Sequence, residues 1–276
     1  MILVTGARGS VGRAVLDALL AAGVPADELR ASGRDPSLLD LPDGVAGVAL
    51  DLADPDALAA AFAGVEQVLL YASGDASVVA DTARTAGVRH VVLLSSLSSL
   101  EDDPDDRIGA MHRAAEAPWH DAGVEATFMR PGAFATNTLD WADGVRAGLV
   151  ELPRPDSHVT PIHEDDIADV AVSALTGGNA RGTARPLSGP ESLSFREQVA
   201  ILAAETGREV ELRGLSDDEY REQMGRWAPP WIADSLLHLW SASDGVPQPV
   251  YDVEPLLGKP GRTFAQWAHE HRGAFL

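Results

Sequence analysis

The chain has 276 residues, room for one large α/β domain or a domain and a half. Its 42 acidic residues against 21 basic ones give a formal net charge of −21, which opposes binding to nucleic acid or to an anionic membrane because phosphates are repelled. It contains no cysteine, which excludes disulfides, thiolate metal sites and cysteine nucleophiles, and no run approaches the ~18 apolar residues of a membrane span, so a cytoplasmic protein acting on a small molecule is expected.

Ile2, Leu3 and Val4 form an uninterrupted apolar run of the kind found in parallel strands covered on both faces. The stretch Gly6-Ala7-Arg8-Gly9-Ser10-Val11-Gly12 follows at once. Gly6 permits a sharp exit from the strand, Gly9 lets backbone approach a pyrophosphate, and Gly12 lets a helix pack close to the sheet. Val11, Val15, Leu19 and Ala22 then recur on one helical stripe that ends at Gly23. A glycine turn between an apolar strand and an amphipathic helix is the setting of a dinucleotide site, where free amides and the positive end of the helix dipole meet a pyrophosphate.

Residues 29–33 read as a second strand, with Arg34 at its end. An NAD site usually carries an acidic residue about there, on the ribose 2′-hydroxyl, whereas arginine suits a 2′-phosphate. Arg8 and Arg34 could clamp that phosphate from two sides, so NADP(H) is the favoured cofactor. Arg34 could instead pair with Asp35, and Asp35 keeps NAD(H) possible. Residues 45–52 give a third strand ending in Asp51 and Leu52, where a carboxylate could meet the adenine amino group or cap the helix of 55–63. Residues 65–71 are the fourth strand, and Ala72, Ser73 and Gly74 after it are small enough for the cofactor's middle to lie against backbone. A helix over 77–86 leads to the fifth strand, 88–94, followed by Ser95 and Ser96, which either line the cofactor or satisfy their own loop.

The acidic stretch 101–107 reads as a solvated connection, and a helix over 108–122 precedes the sixth strand, 125–130. Further on come a short strand at 149–152, a helix over 164–175 capped near His163 or Asp165, and a strand at 184–187 returning to the main sheet. The alternation predicts a Rossmann-type, doubly wound parallel α/β sheet over residues 1–150, with 160–190 returning to it. Residues 191–276 are expected to form a smaller, mostly helical substrate-binding region, broken by one strand at 209–213. Trp227, Trp231, Trp240 and Trp267 lie there, either around a substrate pocket or in the core of a small helical layer, with Trp227 and Trp231 the candidate substrate contacts. His158, His163, Glu164, Asp165 and Asp166 match no zinc spacing, so no metal is expected. His269 and His271, two apart on a helix, are expected to be solvated.

The T-G-A-x-G-x-x-G opening, the Ser95-Ser96 pair, and the stretch from His112-x-x-x-Glu116 to Met129-Arg130-Pro131 with Phe134 and Asn137 together carry a resemblance, joined by Gly189-Pro190-Glu191 and Arg262-Thr263-Phe264-x-x-Trp267. Over nearly its whole length the chain resembles the NmrA-like atypical short-chain dehydrogenase/reductases, and among them the bacterial NAD(P)H quinone reductases. The resemblance implies that Pro131 and Phe134 lie beside the cofactor and that Asn137, near the nicotinamide, faces the substrate, with Phe134 and Asn137 packing or capping the next helix as the alternative. Active short-chain reductases usually carry Tyr-x-x-x-Lys, in which lysine lowers the tyrosine pKa so that the phenol protonates a carbonyl. Counting back from Glu116, the two positions hold Ile108 and His112, and Tyr71, Tyr220 and Tyr251 lie elsewhere.

That departure argues against ordinary ketone reduction and sugar epimerisation. An electron-poor acceptor such as a quinone, an enone or an iminium needs no such acid, only a well-placed nicotinamide. His112 is then the candidate catalytic group, able to supply a proton or to hydrogen-bond the nicotinamide ribose, with a plain helix histidine as the alternative. The expected function is an NADPH-dependent reductase. Two others stay open: a non-catalytic NADP-sensing regulator with a protein partner, and an enzyme of the same fold performing a cyclisation or rearrangement.

Overall fold

The computed structural model describes residues 1–276. In chain order the first part holds β1 (Ile2–Val4), α1 (Ser10–Ala21), β2 (Leu29–Gly33), β3 (Ala46–Ala49), α2 (Pro55–Phe62), β4 (Gln67–Tyr71), α3 (Ala76–Ala86), β5 (His90–Leu94), α4 (Arg107–Glu116) and β6 (Glu125–Pro131). The second holds α5 (Ala142–Ala147), β7 (Leu149–Pro153), β8 (His158–Val159), α6 (Glu164–Leu175), β9 (Ala184–Leu187), β10 (Leu193–Ser194) and α7 (Phe195–Thr206). It closes with β11 (Glu211–Leu215), α8 (Asp217–Met224), α9 (Pro230–Ala242), α10 (Glu254–Leu257) and α11 (Phe264–Glu270).

Seven strands pair in the order β3-β2-β1-β4-β5-β6-β9, all parallel. The order reverses between β1 and β4, so a ligand crevice opens outside the carboxyl ends of those two strands, where the glycine turn stands. Alternation along β1 explains why an apolar run suits it. Ile2 and Val4 join Val11, Val15, Leu16 and Leu19 of α1 and Ile167, Val170 and Ala171 of α6 in one core layer. Leu3 joins Leu58 of α2 and Val79 of α3 on the other face. Each such valine, leucine or isoleucine side chain, fully buried, is worth about 1.5–3 kcal/mol over exposure.

Several boundaries differ from the sequence expectation. β3 stops at Ala49, so Asp51 and Leu52 belong to the following turn, and the cap of α2 is Asp54 rather than Asp51. α4 ends at Glu116 because Pro118 has no amide to continue the ladder, and a 3-10 turn over Ala117–His120 replaces the expected last turns. The strand placed at 209–213 is β11. It lies parallel to β7, while β8 and β10 pair antiparallel, so small sheets support the carboxyl-terminal helices. A third core joins Val145, Val150 and Leu152 to Phe195, Leu202, Phe264, Trp267 and Phe275, which ties residues 135–159 to the carboxyl-terminal region. α6 and β9 return to the main sheet.

Candidate active site

Gly6 leaves β1 with φ +66°, and its amide carbonyl accepts from Gly9 at 2.9 Å to close the turn. A β-carbon on Gly12 would stand 2.3 Å from the Gly6 carbonyl oxygen, so only glycine lets α1 sit this tightly against the turn. Gly9 is the first residue before α1 and gives the helix no side-chain cap, and no acidic residue lies in the first turn. The other helices that cross over the sheet are capped, α2 by Asp54, α3 by Asp75, α4 by Asp106 and α6 by His163. The amides of Ser10 and Val11 donate to no carbonyl. Uncapped amides at the positive end of a 12-residue helix are what a diphosphate requires, so these residues fit the expected dinucleotide.

Arg8, on the turn, and Arg34, at the end of β2, are both exposed. Thirteen of the 21 basic residues form ion pairs with carboxylates, yet these two make none. Asp35 does not neutralise Arg34. Its carboxylate accepts from the Ser37 amide at 3.0 Å and the Ser37 hydroxyl at 2.6 Å, which caps the next turn and holds the acid below the usual carboxylate range. The Asp51 carboxylate accepts from the Ala53 amide. Gly74, at φ +75°, would place a β-carbon 2.8 Å from the Leu52 carbonyl oxygen, so the turn Ala72-Ser73-Gly74 packs directly on Asp51-Leu52. Two turns far apart in sequence thus meet along one edge of the sheet.

Sequence reasoning missed a residue beneath the glycine turn. The Tyr71 ring lies where a Gly6 β-carbon would be, 2.3 Å from Cε2, and its hydroxyl is 3.8 Å from the corresponding position of Gly9. Tyrosine at a strand end carries no short-range signal of this contact.

After β5 the serines turn inward. The Ser95 hydroxyl donates to Glu116 Oε1 at 2.5 Å and Ser99 donates to the same oxygen at 3.2 Å. Arg130, from β6, grips the carboxylate with Nε at 2.9 Å and Nη2 at 2.5 Å. Burial opposes the Glu116 charge, but the hydrogen bonds from Arg130 and Ser95 outweigh it and hold the acid below its ordinary pKa. The Ser96 hydroxyl caps the 3-10 turn of Leu97–Leu100 by accepting from Ser98. The Ser95 hydroxyl therefore spends its hydrogen within the protein, whereas Ser96 still has its own to donate. His112 lies one turn before Glu116, on the same face of α4. Its Nδ1 is buried without a partner, and burial pushes the imidazole below its ordinary pKa, against the opposing charges of Glu116 and Asp106.

Pro131, at the end of β6, is buried, and Phe134 bridges to Ile162 and packs on the α1 side of the core. Asn137 is exposed on the 3-10 turn of Ala135–Trp141. The four carboxyl-terminal tryptophans divide. Trp267 is fully buried and Trp240 packs edge-on against Phe195, so both are core, whereas Trp227 is 67% exposed. Trp231 is half-buried beneath the Arg107 guanidinium, 5.0 Å from the ring centroid.

The acidic stretch is not simply solvated. Asp106 is buried as the cap of α4, Asp103 pairs with His238 of α9 at 2.7 Å, and the Arg107 amide donates to Ser235. These contacts fasten α9 over the start of α4. His269 is exposed beside Glu205, but His271 is only partly exposed. It stacks on Trp267 and pairs with buried Glu164, which also receives the Trp267 indole at 2.9 Å. His163 and Asp165 do approach Glu270, yet His163 Nδ1 accepts from the Asp165 amide and Nε2 faces Glu270.

A protein family described as NAD(P)H-binding matches residues 6–177. The chain is 38% identical to the (4-alkanoyl-5-oxo-2,5-dihydrofuran-3-yl)methyl phosphate reductase of Streptomyces griseus, over 100% of this chain and 99% of that protein. It is 32% identical to an NAD(P)H azoreductase of Xenophilus azovorans, again over 100% and 99%. The structure of an Escherichia coli NADPH-dependent quinone oxidoreductase complexed with NADPH superposes with a TM-score of 0.82 at 25% identity, covering 98% of this chain and 99% of that one. No helix is long and apolar enough to cross a membrane.

Proposed function

The chain belongs to the NmrA-like, NAD(P)H-binding atypical short-chain dehydrogenase/reductases and is an NAD(P)H-dependent reductase, and on that premise we propose that it uses NADPH to reduce a conjugated, electron-poor double bond of a small molecule. The observation that carries this reading is the pair Ile108 and His112 where a carbonyl reductase needs tyrosine and lysine, with the imidazole half-buried, its Nδ1 unpartnered and its pKa pushed down by burial. The nicotinamide, when bound, supplies a hydride; solvent supplies the accompanying proton. Reducing an isolated ketone puts charge on one oxygen and calls for an acid beside it. A conjugated acceptor spreads that charge, so no acid is needed at the site.

Ser10 and Val11 amides hold the diphosphate, and Arg8 with Arg34 selects the 2′-phosphate. Leu52 and Gly74 shape the groove between them. His112 orients by hydrogen bonding rather than by proton loss. Arg130 and Glu116 hold α4, and hence His112, against β5 and β6. Asn137, Trp227 and Trp231 contact the substrate, with α9 as its cover. The Streptomyces griseus relative is named for a ring double bond conjugated to two carbonyls, and the class fits this site without a phenol.

The test is NADPH oxidation with an acyl dihydrofuranone, a naphthoquinone, an azo compound, a cyclic iminium and a saturated ketone. Turnover of the conjugated acceptors and none of the ketone is expected. Equal turnover of the ketone would refute the reading, and tight NADPH binding with no turnover of any acceptor would favour a cofactor-sensing role instead.

A further inference from the structure

The surplus feature of the cofactor crevice is the hydroxyl of Tyr71. A phenylalanine would fill the same apolar space, since the ring packs on the core layer that holds Val4, Ala7 and Val11. The ring packs against Gly6, and the oxygen reaches to 3.8 Å from where a Gly9 β-carbon would stand, which sets it near the uncapped start of α1. Burial raises the phenol pKa, and the Gly12 amide, directed at the oxygen, partly offsets this. The oxygen therefore stands beside the uncapped start of α1. A phenol that accepts one bond still has its own hydrogen to donate. No carbonyl or carboxylate of the protein accepts from it.

We propose that Tyr71 is a cofactor-binding residue whose hydroxyl accepts from the Gly12 amide and donates to an oxygen of the dinucleotide's diphosphate. The phenol then links the helix terminus to the anion: it satisfies the third amide of α1 and adds a charge-assisted donor beside the amides of Ser10 and Val11. The proposal rests on the NADPH reading above. The 2′-phosphate contacts of Arg8 and Arg34 lie elsewhere on the nucleotide, and this separates the two.

The variant is Tyr71→Phe, compared with the wild type in titrations with NADPH, NADH and adenosine 2′-monophosphate, which has the 2′-phosphate and no diphosphate. Affinity for both dinucleotides should fall about tenfold, the effect of losing one hydrogen bond to a charged group. Affinity for adenosine 2′-monophosphate should be unchanged. In the wild type, saturation with NADP⁺ should also move the Tyr71 phenol titration to higher pH, because an anion at the hydroxyl opposes phenolate; subtraction of the Tyr71→Phe spectrum isolates that signal. Unchanged dinucleotide affinity would overturn the proposal. Equal loss for all three ligands would overturn it too, since the hydroxyl would then merely support the turn. Failure of adenosine 2′-monophosphate to bind the wild type, with the Tyr71→Phe effect on NADH intact, would instead count against the arginine clamp and leave the phenol contact standing.

Discussion

Removing the Glu116 carboxylate by Glu116→Ala should be among the most damaging single changes outside the apolar core. The side chain is 5% exposed and receives two hydroxyls and two guanidinium nitrogens, while Arg130 is itself only 18% exposed. Alanine would leave a largely buried cation facing two unsatisfied hydroxyls. Breaking a buried pair from one side costs about 3–5 kcal/mol, a large part of the roughly 5–15 kcal/mol that holds a domain folded. Urea titration should show the midpoint falling with little change in slope. Glu116→Gln keeps an oxygen for Ser95 but loses the charge, and should cost less, about 1–3 kcal/mol. The pH dependence gives a second check. Glu116 has a folded pKa below its ordinary value of 4.5, so its stabilisation is full above that value and is lost as pH falls through the folded one. The wild type should therefore lose stability on acidification more steeply than Glu116→Gln. A loss under about 1 kcal/mol in Glu116→Ala, or parallel acid limbs for the wild type and Glu116→Gln, would refute the assignment of the network as a structural tie.

Arg34→Ala should weaken NADPH about 10- to 100-fold and leave NADH within a factor of about two, as loss of a charge-assisted contact predicts; equal loss for both, by fluorescence titration, would dismiss the 2′-phosphate role. Gly12→Ala forces a β-carbon to 2.3 Å from the Gly6 carbonyl oxygen, so it should both lower the melting temperature and weaken dinucleotide binding, measured by thermal shift with and without NADPH. With the His112 pKa depressed below 6.5, its imidazole stays neutral from pH 7 upward, and kcat should be flat between about pH 7 and 9; a limb in that range that disappears in His112→Asn would make it an acid. Trp267→Phe removes the indole donor to buried Glu164 and should cost about 1–3 kcal/mol in denaturant titration without changing the NADPH Kd.

The opening dozen residues carried the cofactor reading by themselves because everything in that signal is local: an apolar strand, a turn that only glycine can make and an amphipathic stripe lie within one short span. The place of Arg34, directly after β2, was legible for a related reason, since strand–helix–strand units have nearly constant length and put the end of β2 at a predictable offset. That Ile108 and His112 stand eight and four residues before Glu116 was equally plain, being a matter of counting along α4. None of this depends on what packs against what.

What only the folded chain decided is where the polar groups spend their hydrogen bonds. Whether Ser95 faced the crevice or the interior turned on a carboxylate from α4 and a guanidinium from β6, two elements it meets only through the sheet order. Tyr71 reaches Gly6 because β1 pairs with β4 at the point where the strand order reverses, a contact with no trace in either segment alone. His271 likewise met Glu164 of α6 only in the folded chain, although its stacking on Trp267, four residues earlier, is a local contact. Short-range patterns follow from backbone geometry, which a sequence displays; buried polar pairing follows from which side chains the fold brings to one place, and no spacing rule carries that information.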